Sequence, residues 1–177
     1  MHVQHGSYRT VLVIPSAHLA IKVPRVRVRE FVSNVRYHVR GFREGKGSWR
    51  VFWQYTFLKG VDTYCTGQRA LFKGVVDNWR EWRFWSETRH PVLAPTYGWF
   101  GISVQRTVDP IEIVAESFFA RMLEIVGEDV FDDIHHFANP GNFGSLNGRL
   151  VAVDYASPGV QQLLLRCGEA IIRDFRG

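Results

Sequence analysis

A chain of 177 residues that is 46% hydrophobic and 14% aromatic is long enough for one domain or two intimate lobes, and too apolar to stay disordered. Its formal net charge is +5, and arginine supplies most of the positive side, which suits contacts with carboxylates or phosphates. Two cysteines, Cys65 and Cys167, are too few for a disulfide scaffold or a cysteine-based zinc site.

No apolar run approaches the roughly 20 residues of a membrane span. The first residues, Met1 to Gly6, carry no apolar signal core. The expectation is a cytoplasmic protein with no membrane partner.

Arg9 to Ile14 is rich in β-branched residues, Pro15-Ser16-Ala17-His18 interrupts it, and Leu19 to Val23 resumes it before Pro24. This predicts a hairpin with Lys22 near the end of its second strand. Between Arg25 and Arg50 stand eight basic residues and two acids, Glu30 and Glu44. Val26-Arg27-Val28-Arg29 alternates, as does Trp49 to Tyr55, and Gly41, Gly45 and Gly47 lie between them. One or two strands or short helices flanking a Gly-rich turn are predicted over about 25–60. Arginines interleaved with Tyr37, Phe42, Trp49, Phe52, Trp53 and Tyr55 suit nucleic acid, through phosphate contacts and base stacking. They equally suit an acidic partner protein, or a surface whose aromatics are core and whose arginines are solvated.

Gln68 to Arg89 is patterned as a helix, with Gly74 as an interruption, Glu81 inside it and His90-Pro91 ending it. Val92 to Val108 reads as two strands around a turn flanked by Gly98 and Gly101. Asp109-Pro110-Ile111-Glu112 has the form of a capping box with proline at the first helical position, so a helix is predicted from there to Val126, stopped by Gly127. Its Ile113, Phe118, Met122 and Ile125 are expected in the core. Asp132 to Asn142 is a polar loop. Asn147-Gly148 predicts a tight hairpin joining Phe143–Leu146 to Arg149–Val153, and Ser157-Pro158 starts a last helix reaching about Phe175.

Asp154 ends the apolar run Leu150 to Val153, where a carboxylate costs desolvation unless it is paired or metal-bound. Glu81 reads either as a functional acid or as a surface acid beside Arg80 and Arg83, with Glu87 as the other helix candidate. Asp132 and Asp133 have the form of turn caps. With Asp133, His135 and His136 have the donor types of a His/carboxylate metal site.

Leu19-Ala20-Ile21-Lys22 resembles the Val-Ala-Ile-Lys strand of protein kinases, and Val151-Ala152-Val153-Asp154 resembles the approach to their metal-binding acid. More narrowly, Asp133-Ile134-His135, Asn142-Phe143-Gly144 and Gly148 to Tyr155 look like the small kinase-like proteins of tailed phages, which use an Asp-x-His-x-x-Asn catalytic loop. The resemblance implies an α+β, minimal two-lobe kinase-like fold. Residues 1–108 would form an antiparallel sheet with one helix and the basic aromatic insertion at about 25–60. Residues 109–177 would form a reduced helical part with a β-hairpin.

The resemblance further implies that Lys22 grips the phosphates of ATP and pairs with Glu81. Asp133 would be the catalytic acid, and Asp154 and Asn142 would hold magnesium. The implied reaction is phosphoryl transfer to Ser or Thr of a protein substrate. A catalytically inactive kinase-like protein that binds an acidic host protein, and a nucleic-acid-binding module, are the alternatives.

The chain departs from the kinase pattern in several places. Asp133 and Asn142 are nine positions apart where kinases have five, leaving Asn139 as the rival loop ligand. No Gly-x-Gly-x-x-Gly precedes the first hairpin, and Tyr155-Ala156 follows Asp154.

Overall fold

The computed structural model describes residues 1–26, 28–53, 72–127 and 137–175. Five strands, β1 (His2–His5), β2 (Arg9–Ile14), β3 (Leu19–Pro24), β4 (Thr96–Trp99) and β5 (Ile102–Arg106), form one antiparallel sheet in the order β1-β2-β3-β5-β4. The β2–β3 hairpin follows the predicted register, with Arg9 opposite Pro24 and Ile14 opposite Leu19. Its reversal is a 3₁₀ turn, Pro15–Ala17, closed by His18 at φ 52°. The strand β1 carries no periodic signal of its own. It forms because β2 offers an edge, against which His2 pairs with Val13 and His5 with Thr10.

The segment after β3 is helical: α1 spans Val28–Arg43 and α2 Trp49–Trp53. Of the strands or short helices expected here, the helical alternative is found, with α1 longer than expected at 16 residues; residues 54–60 lie outside the described ones. The longer period wins. Phe31, Val35, His38 and Phe42 fall on one helical stripe and are its less exposed positions. The stripe closes on α2, where His38 meets Phe52 edge-on and Phe42 lies 4.8 Å from Trp49, while Arg29, Arg36, Arg40 and Arg43 stay in water.

Helix α3 (Lys73–Thr88) connects this segment to β4 and packs on β3, β4 and β5. Residues 68–71 of the expected helix lie outside the described ones, and α3 runs unbroken from Lys73 to Thr88. Gly74 sits in the first turn, where a Cβ would run into the Tyr8 carbonyl and Pro24. The glycine is needed for that close approach, not as a break.

The rest of the chain builds the main core. Helices α4 (Ala115–Val126) and α5 (Pro158–Asp174) pack against a two-stranded hairpin, β6 (Phe143–Leu146) and β7 (Arg149–Ala152). Asn147 and Gly148 turn it at φ 55° and 73°, the positive pair that a two-residue hairpin requires. Phe118, Met122, Tyr155, Leu164 and Ile171 are fully buried between these elements. Ile113 and Ile125 pack at the core's margin.

Helix α4 does not start at the capping box. Asp109 exchanges both backbone hydrogen bonds with Ser145, at 2.9 and 2.8 Å, and is held extended, so the helix begins at Ala115. Gly127 closes it as expected, at φ 73°. A second bridge joins Ala152 to the strand-like stretch 92–94, with Ala94 N–H donating to Ala152 O (2.9 Å) and Ala152 N–H to Val92 O (2.7 Å). Together the two bridges hang the hairpin beneath the sheet and bring the end of β7 under β3. The architecture is mixed α+β, as the sequence predicted. Among the described residues, no helix is long and apolar enough to cross a membrane.

Candidate functional site: a charged cleft between sheet and hairpin

Alternation along β3 turns Ala20 and Lys22 to the same, buried side. Helix α3 lies over that position and its height is fixed by Asn78, whose amide donates to Lys22 O at 2.9 Å and to Gly101 O at 2.7 Å. One turn later Glu81, with no exposed surface, receives the lysine: Lys22 Nζ donates to Glu81 Oε2 at 2.7 Å and to Val153 O at 2.6 Å. The predicted pair therefore meets, and the reading of Glu81 as a surface acid is corrected. Glu87 is instead the exposed acid, paired with Arg83 at 2.6 Å.

Arg9, which the sequence did not single out, completes the cluster. Its Nη1 donates to Glu81 Oε1 at 2.7 Å and its Nη2 to Asp154 Oδ1 at 2.8 Å; the side chain is 13% exposed. Nothing in Arg9-Thr10-Val11-Leu12 distinguishes an inward arginine from one in water. The facing acids come from α3 and from the end of β7, far along the chain.

Two cations and two carboxylates thus share one site. Burial pushes the Lys22 ammonium below its usual range, opposed by Glu81 and reinforced by Arg9. Burial alone would raise the Asp154 carboxyl, but the charges of Arg9 and Lys22 outweigh it and hold the group well below the ordinary 3.8. Burial works against the Arg9 charge, yet Glu81 and Asp154 secure it.

Tyr155 anchors the next position. Its hydroxyl lies 2.6 Å from Thr96 Oγ1 and donates to Ala94 O at 2.9 Å, and burial keeps the phenol neutral. The two loop asparagines separate. Asn139 caps the 3₁₀ turn Pro140–Asn142 by accepting from Gly141 N–H at 2.9 Å, whereas Asn142 lines the same cleft as Asp154 and takes the Val153 N–H on its carbonyl at 2.8 Å. Asp133, with Asp132, His135 and His136, lies outside the described residues.

The cleft itself encloses about 640 Å³. Val11, Val13 and Ala20 wall it from the sheet, Val108 and Ile111 from the connection after β5, and Phe143 from the hairpin. Arg9, Lys22, Asn142 and Asp154 form its polar end. A smaller space of about 280 Å³, reached by Tyr8, Lys73, Asp77 and Ser157, shares Arg9, Asn142 and Asp154 as a common wall.

The chain matches no protein-family model, curated protein or solved structure.

The volume of the cleft lies within the range of small-molecule sites, and apolar walls beside the N–H donors of Arg9 and Lys22 fit a nucleotide. A divalent ion fits less well. Among the described residues no three His, Cys, Asp or Glu side chains gather to hold a metal. The Glu81 oxygens are taken by Lys22 and Arg9, and Asp154 Oδ1 by Arg9. Between unit charges about 4 Å apart, at an effective dielectric of about 20, repulsion is about 4 kcal/mol, and a divalent ion doubles it. Water reaching Asp154, which is 46% exposed, weakens this repulsion without changing its sign. While Arg9 stays in place, it competes with any magnesium ion for Asp154.

Proposed function

We propose that this chain is a divergent kinase-like protein whose cleft binds a nucleoside triphosphate, ATP being the one its sequence resemblance implies. One observation carries the reading. Lys22 of β3, Glu81 of α3 and the backbone just before Asp154 meet through contacts of 2.6–2.7 Å at one end of a cleft with apolar walls on the sheet and hairpin. The sheet order, with a helix crossing between β3 and β4, supports the same reading.

In this reading the apolar walls receive the base and sugar, and Lys22 and Arg9 present N–H donors to the phosphates. Glu81 keeps the Lys22 ammonium oriented and favours its charged form. In transfer to a protein hydroxyl, the acceptor oxygen of Ser or Thr forms the new bond to the terminal phosphorus and the bond to the leaving diphosphate breaks. Asp133 takes the hydroxyl proton.

Thermal shift with ATP tests the binding. A rise in Tm that is lost in Lys22→Met is expected; no shift with ATP in any buffer would sink the reading.

The Arg9–Asp154 ion pair favours a second reading, a kinase-like protein kept for binding without catalysis. Its partner surface would be the exposed arginines of α1 with the aromatics of α1 and α2, suited to an acidic protein. Radiolabelled phosphate transfer separates the two. If transfer occurs, Asp133→Asn should retain ATP binding and lose roughly 10²-fold or more in turnover. ATP binding with no transfer in wild type favours the second reading.

A further inference from the structure

We infer that the cleft takes its nucleotide without a divalent metal ion, Arg9 supplying the positive charge that a metal would otherwise bring. The inference rests on the nucleotide reading of the cleft. Its ground is where the guanidinium lies. Arg9 stands against the acid that a metal would need, 2.8 Å from Asp154 Oδ1, and is held there from behind by Glu81 at 2.7 Å and by Asn78 Oδ1 at 3.4 Å.

A metal ion on Asp154 would compete with the guanidinium for that carboxylate and be repelled by its charge. Displacement of the guanidinium would also strip Glu81, which has no exposed surface, of one of its two cations. Such a loss makes the exchange unfavourable. The guanidinium is planar, carries five N–H donors and spends only some of them on these acceptors, and it lines the nucleotide-sized cleft. A planar fork is the side-chain form best matched to a phosphate, and one already locked in place binds without losing side-chain freedom. Lys22, 5% exposed, adds a second fixed cation.

Isothermal titration of the full chain with ATP, once in EDTA and once in millimolar magnesium chloride, tests this. Wild type should bind in EDTA with a Kd equal to that in magnesium to within about threefold, or tighter. Arg9→Lys keeps a charge but loses the fork, and should weaken binding in EDTA by about tenfold. Arg9→Met should make ATP binding magnesium-dependent, because Asp154 is then released. If Arg9→Met does not fold, the wild-type comparison and Arg9→Lys decide.

Wild-type binding that appears only with magnesium would overturn the inference and leave the nucleotide reading standing. Absence of ATP binding in both buffers would overturn both. Unaltered EDTA affinity in a folded Arg9→Lys would remove Arg9 from the role.

Discussion

Glu81 is the residue on which the charged cluster depends, because among the described residues it alone pairs with both Lys22 and Arg9. Replacing it with Gln leaves Lys22 and Arg9 short of a counter-charge in a site that water hardly reaches. The expected cost is about 3–5 kcal/mol, as for other buried pairs that lose one partner, read from urea denaturation. Lys22→Met should cost less, since Arg9 remains to neutralise Glu81. Asp154 differs in kind, being partly in water. Its carboxyl is held below 3.8 in the folded chain, so its ionised form favours folding. That contribution is complete above about pH 4 and fades as pH falls toward the folded value. Urea midpoints measured from acid to neutral pH should therefore drop below about pH 4. Asp154→Asn should flatten that part of the curve; an unchanged slope would place the acid sensitivity elsewhere.

Helix α3 shows how packing can reverse a local preference. Alanine is the better helix former by roughly 1 kcal/mol, yet at position 74 its methyl would meet the Tyr8 carbonyl and Pro24. Gly74→Ala should therefore destabilise the protein, by about 1–3 kcal/mol as in other overpacked sites. A rise in Tm would show that α3 does not need to approach β2 and β3 so closely. The β6–β7 hairpin is the opposite case, because the local signal suffices. Asn147-Gly148 dictates the turn, and the turn dictates the register that ends in Asp154. Strand and helix stayed open for α1 because a four-residue alternation overlaps the stripe Phe31, Val35, His38 and Phe42, and only the closure of that stripe on α2 shows which period counts.

Charge is divided across the molecule by depth. Among the described residues, the arginines of α1 carry their charge into water, while Arg9, Lys22, Glu81 and Asp154 balance one another in the cleft. Reversing Arg29, Arg36 and Arg43 together should leave stability within about 0.5 kcal/mol, as for other exposed positions. It should also reduce retention on an anionic matrix such as heparin, and any wild-type retention should weaken with salt. Retention that survives the triple reversal would move the basic surface away from α1.

Several features were legible in the sequence because their causes are local. The β2–β3 hairpin follows from β-branched runs around Pro15, the β6–β7 turn from Asn147-Gly148, the stop of α4 from Gly127, and the last helix from Ser157-Pro158. Lys22 was singled out because Leu19-Ala20-Ile21-Lys22 resembles the kinase strand, and Asp154 because a charge at the end of an apolar strand demands a partner. Which partner it finds is not local. Arg9 reaches across to residues 81 and 154, and its neighbours in sequence are the same whether it points inward or outward. Asp109 has every mark of a helix cap, yet a strand bridge to Ser145 competes for the same backbone groups and wins. The sequence determined the elements whose signals are local, and the presence of a charge in need of a partner at Asp154. Only the tertiary structure decided that Arg9 would meet that charge, because the choice rests on groups brought together from three distant segments.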